Sequence, residues 1–303
     1  MGYLFLIISR FFTITKVLAM KKCGQVAKGT KNGLKINALR TLICLAVSLV
    51  MLLITFSIKL DFYGSIISIL SGIFTAMFLI VWLLSSQKVS LTLIEAFVMI
   101  GSVFVPILLA PVLYKGDNAT IWQWIGSVLL VGVVFILASN EKINVKPSSI
   151  LLLLLCLISS AGTVVTQKLF YTYSISSVEM FNFLSYLVAL ICFGIAIAIL
   201  SIMDKRKAKL LSSVNLQEKK QKTNLTKRTL LFITIAAIAL YGNQYFSTLA
   251  FGKLPSAIGY PLSSALGFIL TLVSDAIFFK VRITLKSVIG LILAIISIIL
   301  IVF

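Results

Sequence analysis

Residues 178–203 read VEMFNFLSYLVALICFGIAIAILSIM, a continuous apolar run rather than an alternation of apolar and polar residues. A helix needs about 20 predominantly apolar residues to cross a bilayer, so this run is long enough to span one. Because open sheet edges cannot face lipid, such continuous runs predict helices and not strands. Similar runs recur along the chain, and the ten predicted spans are residues 2–20, 38–58, 64–85, 89–113, 122–139, 149–172, 178–203, 229–250, 256–279 and 285–303.

The composition favours the same fold class, an all-α integral membrane protein. Of the 303 residues, 60% are apolar and 12% are charged, and the mean hydropathy is +1.13. An average soluble domain is about 45–50% apolar and about 25% charged. The composition therefore excludes a soluble fold.

The residue types needed for catalysis or metal binding are scarce. There is no histidine, the four cysteines form no CxxC pair, and the eight acidic residues are scattered along the chain. The phosphate-binding motif GxxxxGK[ST] is absent from the sequence, which excludes an ATP-hydrolysing site of that type. We therefore predict no catalytic residue, no metal, no cofactor and no disulfide framework.

Lysine and arginine are distributed unevenly among the predicted loops. The loops after spans 1, 3, 5, 7 and 9, counted with Arg40 and Lys286 in the first turn of the following span, hold 21 of the 27 basic residues, and the loops after spans 2, 4, 6 and 8 hold three. Since basic residues of short loops stay in the cytoplasm, the odd loops are predicted to be cytoplasmic and both termini to lie outside. The longest loop, residues 204–228, has no aromatic residue for base stacking. Its expected partner is therefore anionic lipid and not nucleic acid.

The two halves of the chain resemble each other. Four segments correspond in the same order, and the alignment of span 1 with span 6 brings Lys16 onto Lys168. Each half holds five spans, an odd number, so the second half enters the membrane from the opposite side. We therefore predict two five-helix repeats, residues 1–140 and 149–303, in a 5+5 inverted-topology arrangement typical of secondary transporters.

Two segments also resemble a known superfamily. Residues 254–303, LPSAIGYPLSSALGFILTLVSDAIFFKVRITLKSVIGLILAIISIILIVF, look like the last two helices of the drug/metabolite transporter superfamily, which includes the EamA-type ten-helix exporters. The turn at residues 116–120, followed by Gln123 and Gly126, resembles the family signature Gly-Glu-x-x-Thr…Gln-x-Ile-Gly, with Asp117 in place of the glutamate. The resemblance implies ten helices in two EamA-like halves and the transport of a small metabolite or drug.

Polar residues inside the spans are the candidate site residues, because a charge in hydrocarbon is costly and normally faces a cavity or a partner. Arg10 lies roughly 12 Å from the outer end of span 1, near the middle of a ~30 Å hydrocarbon core. In span 8, four polar side chains share one helical face. Snorkelling of Arg10 and hydrogen bonding between helices are the alternatives. The predicted cavity-lining residues are Arg10, Tyr241, Gln244, Tyr245, Thr248 and Tyr260.

Glu95 and Lys16 are the candidates for coupling transport to a proton gradient. Glu95 is the acidic residue well inside a span of the first half, and Lys16 lies at a comparable level of span 1. The two side chains are therefore able to pair. A structural ion pair and a working proton site fit the sequence equally well.

These observations predict a secondary transporter that exports a small metabolite such as an amino acid, or a drug, by alternating access. A membrane-embedded lipid-linked transferase and a non-transporting accessory subunit are the alternatives. Such a transferase needs clustered acidic residues for a metal or a base, whereas here they are scattered. The expected location is the cell membrane, with several spans. The expected partners are a small substrate and membrane lipids, and a homodimer is an open alternative.

Overall fold

The computed structural model describes residues 1–24, 30–86, 88–89, 91–114, 118–138, 147–212, 226–279 and 285–302. Within these ranges the chain forms ten α-helices and no strand. The helices are α1 (Gly2–Gly24), α2 (Thr30–Thr55), α3 (Phe62–Ser85), α4 (Leu91–Leu113), α5 (Ile121–Ala138), α6 (Pro147–Tyr173), α7 (Val178–Ser212), α8 (Lys227–Lys253), α9 (Ser256–Phe279) and α10 (Leu285–Val302).

The outer surface of the helices is suited to lipid. Among the described residues, six helices are long and apolar enough to cross a bilayer, namely α1, α2, α3, α6, α7 and α8, and shorter apolar segments lie in the other four. In α7 the side chains of Ile191, Ile195, Ile199 and Ile202 form an exposed apolar stripe. Such a stripe is unfavourable in water and matches hydrocarbon. The chain is therefore an all-α, multi-pass membrane protein, as the sequence predicts.

The interior of the bundle contains small polar residues. Ser48, Ser68, Ser127 and Ser159 are buried, and each hydroxyl donates to a carbonyl three or four residues earlier in its own helix. A buried polar group in a membrane protein needs such a partner, because the surrounding hydrocarbon offers none. These short side chains let helices approach closely without leaving a hydroxyl unpaired.

Most of the helix packing joins the first five helices to the last five. α1 packs on α8, α3 on α6 and α7, α2 on α7, α5 on α10, and α4 on both α6 and α9. Glycines mark two of the crossings. A Cβ at Gly72 would overlap the carbonyl oxygen of Ser185, and a Cβ at Gly101 would overlap that of Leu157. These glycines therefore permit the close approach of α3 to α7 and of α4 to α6.

The connections before α3, α5, α7 and α9 meet at one end of the bundle, which we call the Asp61 end. The carboxylate of Asp61, just before α3, accepts hydrogen bonds from Ser174 (2.5 Å) and Ser176, both between α6 and α7. Tyr173, at the end of α6, donates to the carbonyl of Leu113, at the end of α4, at 2.6 Å. The alternation of helix directions agrees with the one predicted from the charge distribution.

Both ends of the described chain lie at the Asp61 end as well. Gly2 of α1 packs against Leu254, in the connection between α8 and α9. Gly126, near the start of α5, packs against Ile301, near the end of α10. The last turns of α1, α3, α5, α7 and α9 consequently point toward the opposite end of the bundle.

Two helices differ from the predicted spans. α2 begins at Thr30, well before residue 38, and its first turns bury Leu34 and Ile36. Arg40, which the charge count assigns to a loop, is therefore buried within α2, with 4% of its surface exposed. α7 continues to Ser212, into the predicted basic loop. Most of the rest of that loop, residues 213–225, lies outside the described residues.

Asp61 supports a test of this end of the fold. Besides the serine contacts, its Oδ2 accepts a hydrogen bond from the backbone N–H of Gly64 at 3.1 Å and caps α3. We expect Asp61→Ala to lower the free energy of unfolding by about 1 kcal/mol at pH 7, since it removes an N-cap. The measurement is the thermal unfolding midpoint in detergent, with Ser57→Ala as the control, because the Ser57 hydroxyl bonds only locally to Thr55.

The effect of Asp61→Ala also depends on pH. The hydrogen bonds from Ser174 and Ser176 hold the pKa of Asp61 well below its ordinary value. A lowered pKa in the folded state stabilises the protein above the unfolded pKa of about 3.9, and this stabilisation is lost as the pH falls further. The difference between wild type and Asp61→Ala should therefore shrink below about pH 4. Equal midpoints at pH 7 would contradict the role of Asp61.

Candidate functional site

Helix α8 carries polar side chains on two opposite faces. Asn243 and Ser247 lie one turn apart on the face toward α1. Tyr241 and Tyr245 lie one turn apart on the face toward α7. At 100° per residue the two pairs are about half a turn from each other, so one helix presents a polar group to each of two neighbours.

Arg10 of α1 lies against the first of these faces. Its Nη2 donates to Oδ1 of Asn243 at 3.3 Å and to Oγ of Ser247 at 3.2 Å, and its Nε donates to Oγ of Ser9 at 3.3 Å. Thr13, about one turn further along α1, donates to the same oxygen of Asn243 at 2.7 Å. We call Ser9, Arg10, Thr13, Asn243 and Ser247 the Arg10 cluster.

The positive charge of Arg10 is held by neutral oxygens, with no carboxylate partner among the described side chains. The guanidinium lies within the bundle and keeps some accessible surface. Gly267 of α9 faces its Nη1, from which a Cβ would be 3.4 Å away. Because a buried cation without a counter-charge is costly, Arg10 is a candidate binding group for an anion.

The opposite face of α8 meets a buried carboxyl group. Tyr245 donates to Oε1 of Glu179, in the first turn of α7, at 2.9 Å, and Glu179 is 8% exposed. The ring of Tyr245 stacks on that of Tyr241, which lies beside Tyr186 of α7, with centroid distances of 6.0 and 6.3 Å. We call Glu179, Asn182, Tyr186, Tyr241 and Tyr245 the Glu179 cluster.

Two members of the Glu179 cluster have no hydrogen-bond partner in the described part of the chain. Asn182, about one turn after Glu179 and 0% exposed, pairs neither its amide nitrogen nor its amide oxygen. The hydroxyl of Tyr241 is also unpaired. An unsatisfied buried polar group costs about 1–3 kcal/mol. These groups are therefore available to a polar ligand or to water.

A cavity of about 720 Å³ opens at the Asp61 end, and we call it the vestibule. Two of its lining residues are lysines. Lys168 of α6 is buried, donates to the carbonyl of Leu254 at 2.8 Å and lies 5.2 Å from the ring centroid of Tyr114. Lys253, at the end of α8, is exposed, and its ammonium lies 5.1 Å from the ring centroid of Phe5. The vestibule therefore presents positive charge at its wall.

Thr120 and Gln123 also line the vestibule and fix the start of α5. The backbone N–H of Thr120 donates to Oε1 of Gln123 at 3.0 Å, and the backbone N–H of Gln123 donates to Oγ1 of Thr120 at 3.4 Å. This reciprocal pair is a capping box. It gives a structural reason for the Thr and Gln spacing of the signature-like turn.

The predicted cavity-lining residues do not form one set. Tyr241 and Tyr245 belong to the Glu179 cluster, and Gln244 is half-buried beside them. Thr248 is buried and donates to the carbonyl of Gln244 at 2.9 Å within α8. Tyr260 of α9 is buried against a phenylalanine ring of α8. Of the predicted set, Arg10 alone belongs to the Arg10 cluster.

The predicted coupling residues are only partly described. Lys16 is half-buried in α1, interacts with neighbouring residues and acts electrostatically on Cys44 of α2. Glu95 belongs to α4, but its side chain lies outside the described part. The Lys16–Glu95 pair therefore stays a prediction.

Sequence reasoning missed Asn243, Ser247 and Asn182 as site residues. The helical-wheel argument favoured the tyrosine face of α8, although Asn243 and Ser247 have the i, i+4 spacing of a shared face. Asn182 offered a weaker signal, a single amide within an otherwise apolar run. Its significance depends on tertiary packing, which leaves it without a partner.

No group of three metal-ligating side chains occurs among the residues that the structure describes. Cys44 and Cys156 are buried, and Cys192 is half-buried, and all three are free thiols. The polar groups of the two clusters are hydrogen-bond donors, hydrogen-bond acceptors and fixed charges.

Comparison with known proteins adds a family match. The EamA-like transporter family matches residues 147–303, more than half of the chain. This range includes residues 254–303 and begins after the signature-like turn. A solved structure titled "Crystal structure of protein" is similar over 99% of this chain and 95% of its own, with a TM-score of 0.72 and 12% identity, which shows a shared fold. The comparison with curated proteins gives no match.

The unpaired amide of Asn182 leads to a stability prediction. We expect Asn182→Leu to raise the free energy of unfolding of the unliganded protein by about 1–3 kcal/mol, because leucine removes two unsatisfied polar atoms at similar volume. Asn243→Leu is the matched control, and it should lower the stability because Asn243 accepts bonds from Arg10 and Thr13. Thermal unfolding in detergent measures both. A lower midpoint for Asn182→Leu would contradict an unsatisfied amide.

Proposed function

The chain belongs to the EamA-like transporter family, and we propose that it is a secondary transporter that exports a small metabolite such as an amino acid, or a drug, across the cell membrane. Because members of this family are transporters, membership points away from an enzyme. The transferase and accessory-subunit alternatives carry no comparable support.

The observation that carries this proposal is the Arg10 cluster. A guanidinium deep in a lipid-spanning bundle is expensive to keep, and such residues normally mark a substrate or ion pathway. Arg10 is partly accessible and is held by neutral oxygens of Asn243, Ser247 and Ser9. A purely structural role would be served more cheaply by an apolar residue.

We further propose the 5+5 inverted repeat, with residues 1–140 and 149–303 as its two halves. The proposed symmetry exchanges α1–α5 with α6–α10 in order. It converts the packing of α1 on α8 into that of α6 on α3, and the packing of α4 on α6 into that of α9 on α1. All four packings occur. The contacts of α2 with α7, α4 with α9 and α5 with α10 map onto themselves. The family match, which starts at residue 147, also supports a second half that begins there.

The vestibule is the proposed outer opening of the pathway. We place the Asp61 end outside, because the loops predicted at the opposite end hold most of the basic residues. Its volume of about 720 Å³ is within the usual range of small-molecule sites, about 300–1,000 Å³. Rocking one repeat against the other would then close the vestibule and open the Arg10 cluster to the cytoplasm.

Glu95 and Lys16 remain the proposed coupling residues. If the two side chains pair in one access state only, the carboxyl group would hold a proton in the other state, which is the two-state bias that a coupled carrier requires. Anionic lipid headgroups are the proposed surface partners of the basic cytoplasmic end. These assignments rest on the sequence and on the family.

Uptake into everted membrane vesicles tests the proposal. A panel of labelled amino acids, sugars, quaternary amines and nucleotides should include at least one class that enters in response to a proton gradient. We expect Glu95→Gln, which keeps the shape and removes the charge, to lose gradient-driven uptake while substrate exchange survives. Glu141→Gln, in the connection between α5 and α6, is the matched control and should behave as wild type.

The transporter proposal and the coupling role of Glu95 can be contradicted separately. If the vesicles take up no class of the panel above the level of vesicles without the protein, the transporter proposal is wrong. Full gradient-driven uptake by Glu95→Gln would leave the transporter proposal intact and remove Glu95 from the coupling step.

A further inference from the structure

Two cations lie along the packed pair α1 and α8, one at the vestibule and one in the Arg10 cluster. Lys253 lines the vestibule at the end of α8, and Ser247, which holds Arg10, lies about 9 Å further along the same helix. The ammonium of Lys253 also lies over Phe5 of α1, roughly 7.5 Å of helix before Arg10. Positive charge therefore lies along α1 and α8 both at the vestibule and within the bundle.

The acidic side chains that the structure describes do not neutralise this positive charge. Glu179 lies on the opposite face of α8, where Tyr245 holds it. Asp61 is engaged by Ser174 and Ser176 and does not line the vestibule. Because a cleft of one sign concentrates ions of the other sign, the described charges along α1 and α8 favour anions.

The geometry at Arg10 suits a planar anionic group. Nε and Nη2 are held by Ser9, Asn243 and Ser247, and Nη1 lies beside Gly267, from which a Cβ would be 3.4 Å away. A guanidinium presents its donors in a fixed fork that matches carboxylate and phosphate oxygens. The protein bonds orient the fork, and Nη1 forms no hydrogen bond with the described residues.

We infer that the transported molecule is a small organic anion whose carboxylate or phosphate group binds the Arg10 guanidinium. This inference rests on the proposed transport function and names its substrate class. Arg10 replaces part of the hydration shell of the anion in the interior, and Lys253 provides positive charge in the vestibule, through which the exported anion leaves. A lipid headgroup carries the same phosphate chemistry, but the vestibule has the size of a site for a small soluble molecule.

Binding to the purified full-length protein tests this class directly. The protein is placed in phosphatidylcholine nanodiscs and titrated with acetate, succinate, benzoate and phenyl phosphate, and with acetamide, succinamide and benzamide as neutral isosteres. The readout is the shift of the thermal unfolding midpoint and the dissociation constant that it gives. At least one anion should raise the midpoint, and the amides should leave it unchanged.

Three variants connect the binding to Arg10. Arg10→Gln should weaken binding of the anion at least tenfold. Arg10→Lys keeps the charge but loses the planar guanidinium, so its affinity should lie between those of Arg10→Gln and wild type. Arg228→Gln, at the exposed start of α8, removes the same charge away from the cluster and should bind as wild type. Gly267→Ala leaves the Arg10 side chain in place and puts a methyl group in ordinary contact with Nη1. It should weaken binding several-fold without lowering the midpoint of the free protein.

Other results would contradict the anion class, the soluble substrate or transport itself. Binding of the amides as tightly as the anions, or of none of the anions, would overturn the anion class. A midpoint that rises only with phosphatidylglycerol in the nanodiscs, in an Arg10-dependent way, would make a lipid headgroup the occupant and overturn a soluble substrate. Counterflow in proteoliposomes separates the two proposals. Arg10-dependent binding without any counterflow would contradict transport alone, and counterflow of neutral compounds alone would contradict the anion class alone.

Discussion

The guanidinium of Arg10, inside a bundle that spans lipid, is the interaction on which the polar interior depends. A cation in hydrocarbon costs several kcal/mol unless protein or water solvates it, and here Asn243 and Ser247 of α8 supply part of that solvation. Their contact fixes the register between α1 and α8, in which Phe12 also covers Gly242. The helix pair that runs from the vestibule into the bundle is therefore the pair that holds the charge.

Helix α8 separates the Arg10 guanidinium from the carboxyl group of Glu179. Arg10 lies on its Asn243 face, and Glu179 lies on its Tyr245 face. A displacement of α8 against α1 changes the solvation of the cation, whereas a displacement against α7 changes that of the carboxyl group. If the two halves rock against each other as we propose, the two access states differ in the polar contacts of Arg10 and Glu179, and a bound ligand shifts the balance between the states.

The sequence predicted the helices well and their contacts less well. Each predicted span is a continuous apolar run, a signal that does not depend on tertiary structure. The start of α2 at Thr30 escaped prediction because its first turns are polar, and Arg40 was therefore assigned to a loop although it is buried. A helical wheel tells which residues of α8 share a face, but the neighbour of each face depends on packing. For that reason Arg10 was predicted as a site residue and its partner Asn243 was not.

The distance across the vestibule tests the central claim, alternating access around the Arg10 cluster, most directly. Spin labels at Asn118→Cys and Pro255→Cys, in a cysteine-free background, report the separation between the vestibule ends of α5 and α9 by pulsed electron resonance in nanodiscs. The account predicts two distance populations, a longer one for the open vestibule and a shorter one for the closed state, whose ratio changes when a transported compound is added. A single distribution that no transported compound alters would contradict it.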